Sequence, residues 1–322
     1  MSIEGKTPDL VRRAAARLSQ ASARSGNGSG LGTPAAAKVE PPPLVASPLS
    51  MPPAALGLVT PSLTEPETPR ARPQGRQTVN ISPTSLAAQG ISLPSAGFGR
   101  TVEEFRIIKR QILANASRLP SGAGGDFNRV IMITSAKPGE GKTYTAINLA
   151  LSLAFERDLK VLLVDADVYR QSMMTYCGFQ AETGWIDLLS DRGLNFSDVL
   201  LHTNIPNLTV LPAGKTHPEV PELMSSRKMQ MMVTEMARRY PDRFIIFDTL
   251  PCLVSSEPAI LASMVGQTVF VVAAHETSRD QVESSLRLIN SCPSVSLVLN
   301  KAEPLLTETL GGSYYGGYQY KK

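Results

Sequence analysis

The stretch Ser135-Ala-Lys-Pro-Gly-Glu-Gly-Lys-Thr143 follows the apolar run at 130–134 and opens a helix-forming segment, which limits the chain to few folds. Gly139 and Gly141 have no Cβ, so the backbone can turn tightly and aim its N–H groups inward at an anion. A helix beginning at Lys142 adds positive potential at the same point. From that position Lys142 reaches β- and γ-phosphates, and the Thr143 hydroxyl can ligate Mg²⁺. The eight-residue phosphate-loop template has Gly at its first position; Ala136 stands there, and a small side chain costs little. Such a loop works only between a strand and a helix, so an α/β domain is required.

The remaining pattern agrees. Short apolar strands are predicted at 130–134, 161–164, 208–211, 244–247, 268–274 and 295–299. Helices are predicted at 142–155, 185–190, 196–201, 219–239, 257–264 and 279–289. Continuous apolar strands alternating with helices imply a mainly parallel sheet covered on both faces, the P-loop NTPase architecture. A helix before the first strand is predicted over 101–113, with Thr101 as N-cap and Glu104 completing a capping box. Phe105, Ile108 and Ile112 form its apolar stripe; Glu103, Arg106, Lys109 and Arg110 lie around the other side.

Composition sets the domain limits. Residues 1–100 hold 14 of the 25 prolines and one aromatic, Phe98, too little apolar surface to offset the entropy of ordering the backbone. They are predicted to form a disordered Pro/Ala/Ser-rich tail. Its one helical segment is 9–19, where Leu10, Val11, Ala14 and Leu18 lie beside Arg12, Arg13 and Arg17. That segment suits either a docking helix or a frayed, solvated one. The folded domain is expected over 101–310 and a flexible tyrosine-rich tail over 311–322.

The excess of positive charge also lies in the N-terminal tail, with ten Lys/Arg against five Asp/Glu in residues 1–100 and twenty-two against twenty-three beyond. A balanced core gives no support for nucleic-acid binding. Cys177, Cys252 and Cys292 show no paired spacing and are expected as free thiols. The longest apolar run, 269–274, is six residues, and the N-terminus lacks a secretory apolar core, so a cytoplasmic chain is expected. His202, His217 and His275 have no metal-ligand spacing.

Two strand ends carry carboxylates. Leu162-Leu-Val-Asp-Ala-Asp167 leaves a buried strand at the sheet edge where open α/β proteins bind ligands. Phe244-Ile-Ile-Phe-Asp248 has the form of a strand ending in a metal-orienting Asp. Thr143, Asp167 and Asp248 are the candidate Mg²⁺ ligands. Lys142, Asp167 and Asp248 are the candidate catalytic residues, with Asp167 facing an incoming phenol. A phenol, with a pKa near 10, needs a positioned proton acceptor at neutral pH. Phenols are supplied by the C-terminus, where Tyr314, Tyr315, Tyr318 and Tyr320 are interspersed with four glycines. Glycine weakens strands, so this segment reads as an end that can enter an active site.

The set Lys137-Pro-Gly-Glu-Gly-Lys-Thr143, Leu162-Leu-Val-Asp-Ala-Asp167 and Ile245-Ile-Phe-Asp-Thr-Leu-Pro251 resembles the bacterial tyrosine kinases of exopolysaccharide synthesis. More narrowly it resembles the autokinases encoded with exosortase-linked polysaccharide systems. The resemblance runs from about Thr101 to the C-terminus. It implies ATP and Mg²⁺ as cofactors, held by Lys137, Pro138, Gly139, Glu140, Gly141, Lys142, Thr143 and Tyr144, with Asn300 at the adenine. It also implies autophosphorylation in trans of Tyr314, Tyr315, Tyr318 and Tyr320. Glu103, Arg106 and Lys109 are similar to the family's ring-forming helix, with Lys109 replacing an Arg. The partner implied is a separate membrane-bound chain-length or co-polymerase protein, with the kinase at the inner face of the membrane through it. Tyr169, Gln171 and Leu250 depart from the family's usual Arg, Pro and Pro. A partitioning or positioning ATPase, working as a nucleotide-switched dimer, is the main alternative. Lys137 sits where such proteins send a lysine across to the partner's phosphates. A non-catalytic nucleotide-sensing scaffold is the third.

Overall fold

The computed structural model describes residues 77–302, apart from 97–98, 119–124, 191–192 and 240–241. The predicted helix at 9–19 and the tyrosine cluster lie outside the described residues. By contacts the chain divides after Glu67, and every described residue belongs to the second unit.

Eight strands form one sheet in the order β1-β4-β5-β3-β6-β2-β7-β8. They are β1 (Gln77–Val79), β2 (Val130–Ser135), β3 (Lys160–Asp165), β4 (Leu201–Thr203), β5 (Leu208–Leu211), β6 (Arg243–Asp248), β7 (Gln267–Ala273) and β8 (Ser294–Asn300). The described helices are α1 (Pro83–Ala88), α2 (Arg100–Arg118), α3 (Lys142–Ala154), α4 (Ser172–Cys177), α5 (Trp185–Ser190), α6 (Phe196–Val199), α7 (Val220–Ser225), α8 (Arg227–Arg239), α9 (Glu257–Ala262) and α10 (Arg279–Leu288). All pairings are parallel except β4 with β5, so β1 and β4 run against the other six.

Strand alternation builds two cores. Val130 and Met132 point to one face with Trp185, Met229, Met236 and Leu261. Ile131 and Ile133 point to the other with Phe105, Ile112, Leu149 and Leu153. Both faces are therefore covered by helices, and the central strands β2, β3 and β6 carry apolar residues throughout, as a doubly covered sheet requires.

Order starts earlier than composition suggests. The folded unit was expected from Thr101, yet β1 pairs with β4 and α1 packs near α4, burying Ile81, Leu86 and Ile91. Three apolar anchors suffice because the sheet edge already exists. Asn204 secures the segment by accepting from the Ile81 N–H at 2.8 Å and donating to the Ile81 carbonyl at 3.2 Å.

The predicted capping box is absent. α2 begins at Arg100, the Gly99 carbonyl accepts the Glu103 N–H at 3.1 Å, and Glu104 pairs with Arg100 at 2.8 Å. Its apolar stripe is as predicted, with Val102 added. The predicted helix 219–239 is two helices. Ser226 adopts an extended ψ of 152°, and its hydroxyl accepts from the Met229 N–H at 3.2 Å, starting α8 afresh.

Candidate functional site

The strand order places β3, β6 and β2 side by side, so the three sequence motifs leave neighbouring strands at one edge. Asp165 pairs in register with Asp248, and Asp248 with Ile133. Strands lie about 4.8 Å apart, so the phosphate loop, Asp248 and Asp165 fall within two strand spacings.

The loop is wound as its glycines allow. Gly139 and Gly141 have φ of 85° and 96°, and Gly141 caps α3. The positive φ of Gly141 requires glycine, and a Cβ there would lie 2.0 Å from Asn300 Nδ2 and displace that side chain from the loop. Glu140 holds the loop shut from inside. It is wholly buried, with one carboxylate oxygen accepting the Lys137 N–H at 2.7 Å and the other the Thr277 hydroxyl. Its carbonyl accepts the Asn300 amide at 2.9 Å.

Lys142 is buried beneath the loop. Burial pulls its pKa down, while Asp248, Asp167 and Glu140 pull it up. Burial pushes the Asp248 carboxyl up to about 7, with Asp167 adding to the rise and Thr143 and Lys142 opposing it. The Thr143 hydroxyl lies beside this carboxyl, yet no well-formed hydrogen bond closes on either Asp248 oxygen. Asp165 Oδ2 is likewise buried and unpaired, and burial with Asp248 and Asp167 raises that carboxyl well above the carboxylate range.

Three unpaired carboxylate oxygens beside a phosphate loop are costly unless a cation shares them. The donor set fits Mg²⁺, a hard ion that takes one or two carboxylates and a hydroxyl together with nucleotide phosphates. Thr143 and Asp248, with Asp165 close by, would hold it. Asp167 lies two residues beyond the end of β3, is also buried, and accepts the Arg170 N–H at 3.2 Å. The sequence pattern points to Asp167; the signal for Asp165 is that it is the last residue of the apolar strand and the more deeply buried of the two.

The charge state of Asp248 gives a prediction. A carboxyl that folds from about 4 to about 7 binds its proton more tightly in the native state, so its penalty grows between those pH values and is constant above. In the absence of nucleotide and metal, Asp248→Asn should therefore raise Tm on the order of 5 °C at pH 8 and have little effect at pH 4. Calorimetric melts of both chains at the two pH values measure this; equal shifts would contradict it.

Other predicted residues are placed as follows. Lys137 Nζ donates to the Glu276 carbonyl, and Lys301 pairs with the Glu276 carboxylate at 2.9 Å. Pro138 and Gly139 lie in the loop. The Tyr144 side chain is turned from the loop: its ring meets Phe105 edge-on at 6.1 Å and its hydroxyl faces the Gly90 carbonyl at 3.4 Å. Only its backbone can serve a phosphate. Asn300, expected at a base, spends its amide on the loop itself. On α2, Glu103 and Arg106 pair with each other at 2.9 Å on the surface. Lys109 does not share that face; it is nearly buried and pairs with Glu156 at the end of α3. The three cysteines are free and buried. Burial pushes Cys177 up to about 12 and Cys252 up to about 11, so neither is a ready nucleophile.

Comparison with known proteins agrees with this geometry. A family described as an AAA domain matches residues 128–298. Tyrosine-protein kinase CpsD of Streptococcus agalactiae is 33% identical over 209 residues, covering 63% of this chain and 87% of the relative. Tyrosine-protein kinase YwqD of Bacillus subtilis (strain 168) is 31% identical over 186 residues, covering 58% and 77%. The crystal structure of the VpsO kinase domain superposes with a TM-score of 0.50 at 30% identity, covering 61% of this chain and 98% of that domain. The motifs, the strand order that brings them together and these similarities place the chain in the bacterial tyrosine-kinase family, within the AAA-domain group.

Proposed function

We propose that this kinase phosphorylates its own C-terminal tyrosines, Tyr314, Tyr315, Tyr318 and Tyr320, in trans within a ring-like homo-oligomer. The cycle regulates exopolysaccharide synthesis and export through a separate membrane-bound chain-length or co-polymerase protein. Among the described residues no helix is long and apolar enough to cross a membrane, so contact with the membrane is assigned to that partner. The observation that carries the reading is the buried carboxylate pair Asp165 and Asp248 beside the phosphate loop, with Asp167, also buried, two residues beyond the end of β3.

Bound ATP would supply the phosphoryl group, and Mg²⁺, held by Thr143 and Asp248 with Asp165 close by, would supply counter-charge to the phosphates. The loop N–H groups and Lys142 stabilise negative charge that grows on those oxygens in a loose transition state. Glu140 keeps the amides aimed by closing the loop from within. Asp167 takes the phenolic proton, because it follows β3 at the catalytic edge and lies within electrostatic reach of Lys142 and Asp248. Each phosphate adds about −1.5 to −2 charge, so a modified tail repels its neighbours and loosens the ring. The surface pair Glu103–Arg106 is assigned to the ring contact, and Lys109 to holding α2 on α3.

The trans reading is tested by mixing two full-length chains. Lys142→Met supplies tyrosines but no catalysis, and the chain with Tyr314, Tyr315, Tyr318 and Tyr320 changed to Phe supplies catalysis but no tail tyrosines. With ATP and Mg²⁺ the Lys142→Met chain should become labelled only in the mixture, at a rate that rises with concentration. An unlabelled mixture, under conditions where the unaltered chain labels itself, would overturn the trans step.

A further inference from the structure

The catalytic edge carries an apolar patch that the site above does not use. Tyr169 is 55% exposed, Leu253 41% and Val254 62%. They come from the two loops that bear Asp167 and Asp248. The loops leave the ends of two adjacent paired strands, β3 and β6; Tyr169 interacts with Glu257 at the start of α9, and the Leu253 N–H donates to the Ala136 carbonyl at 3.1 Å, at the first residue of the phosphate loop. Glu222 completes the patch. α7, which carries it, packs on α9, which carries Glu257, and Glu222 acts electrostatically on Tyr169. Water-exposed Leu and Val beside catalytic carboxylates, rimmed by acids, mark an interaction surface rather than a packing residue of the core.

We propose that Tyr169, Leu253 and Val254, with Glu222 beside them, form the seat on which residues 311–322 of a second copy rest during tyrosine transfer. The inference rests on the trans-kinase reading and adds what recognises the acceptor. The occupant follows from complementary chemistry. Residues 311–322 contain four tyrosines, four glycines, Lys321 and Lys322, and no acid follows Glu308. With one phenol at Asp167, a tyrosine a few residues along the extended segment lies about 13 Å away for a four-residue separation. Its ring can pack on Leu253, Val254 and the face of Tyr169. The terminal lysines then meet Glu222 and the electron-rich ring of Tyr169. Glycines let the backbone lie close to the loops.

The test uses the chain with its four tail tyrosines changed to Phe as enzyme and full-length Lys142→Met as acceptor. Leu253→Ser with Val254→Ser, in the enzyme only, should raise the KM for the acceptor about tenfold and alter kcat less than about twofold, the signature of lost uniform binding. Both residues are exposed, so the fold is spared. A charge exchange gives the second reading. Glu222→Lys in the enzyme should raise KM about fivefold against the unaltered tail. Against an acceptor carrying Lys321→Glu and Lys322→Glu it should bring KM back to within about twofold of the starting value. An unchanged KM in the first variant, or no recovery on charge exchange, overturns the seat while leaving the kinase reading intact. Failure of the unaltered enzyme to label the acceptor at all would instead defeat the kinase reading.

Discussion

Lys142→Met should reduce self-phosphorylation about a thousandfold, because it removes a cation buried beneath the phosphate loop. The side chain is 7% exposed and lies within the influence of Asp248, Asp167 and Glu140. Methionine keeps the unbranched shape, so the cavity stays filled, and the lost charge matters mainly when phosphates and their negative charge are present. Phosphotyrosine blotting after incubation with ATP and Mg²⁺ measures the first effect, and a thermal melt checks the fold. Labelling within tenfold of the unaltered chain would mean that the loop does not carry the transfer.

Changing Tyr314, Tyr315, Tyr318 and Tyr320 together to Phe should remove most of the label while ATP affinity stays within about twofold. The logic is separation of roles. Among the described residues Glu140, Thr277 and Asn300 already close the phosphate loop without these hydroxyls. Isotope transfer from labelled ATP, beside calorimetric ATP titration, reads both quantities. Undiminished label would move the acceptor to another of the eight tyrosines; among the described residues Tyr169 is the exposed one beside the catalytic edge.

Much of this was legible in the residues because three motifs each need a strand before them. The apolar runs leading to Ser135, Asp165 and Asp248 are short, uninterrupted and buried on both faces, which is the composition of central parallel strands. The sheet's far edge was not legible. β1 is Gln-Thr-Val and β4 is Leu-His-Thr, three residues each, with mixed polarity and no periodicity to detect. β4 turns back on β5 as a local hairpin, while β1 is fixed by its pairing with β4 and by Asn204, contacts distant in sequence.

The site divided in the same way. Residue types announced the phosphate loop, and its glycine φ values agree. Side-chain direction was not announced. Tyr144 follows Thr143 in the loop's helix, but the apolar ring finds Phe105 on α2. Lys109 has the spacing of a surface charge on α2, yet the packing of α2 on α3 brings it to Glu156. Asn300 ends an edge strand, and only the sheet order shows that this end touches the loop at Glu140.

The most direct measurement is mass spectrometry of the purified full-length protein after incubation with ATP and Mg²⁺. The account predicts phosphate on Tyr314, Tyr315, Tyr318 or Tyr320 in the unaltered chain and on none of them in Lys142→Met. ATP consumed with no phosphotyrosine anywhere in the chain would contradict it, and would be the behaviour of a nucleotide-switched ATPase.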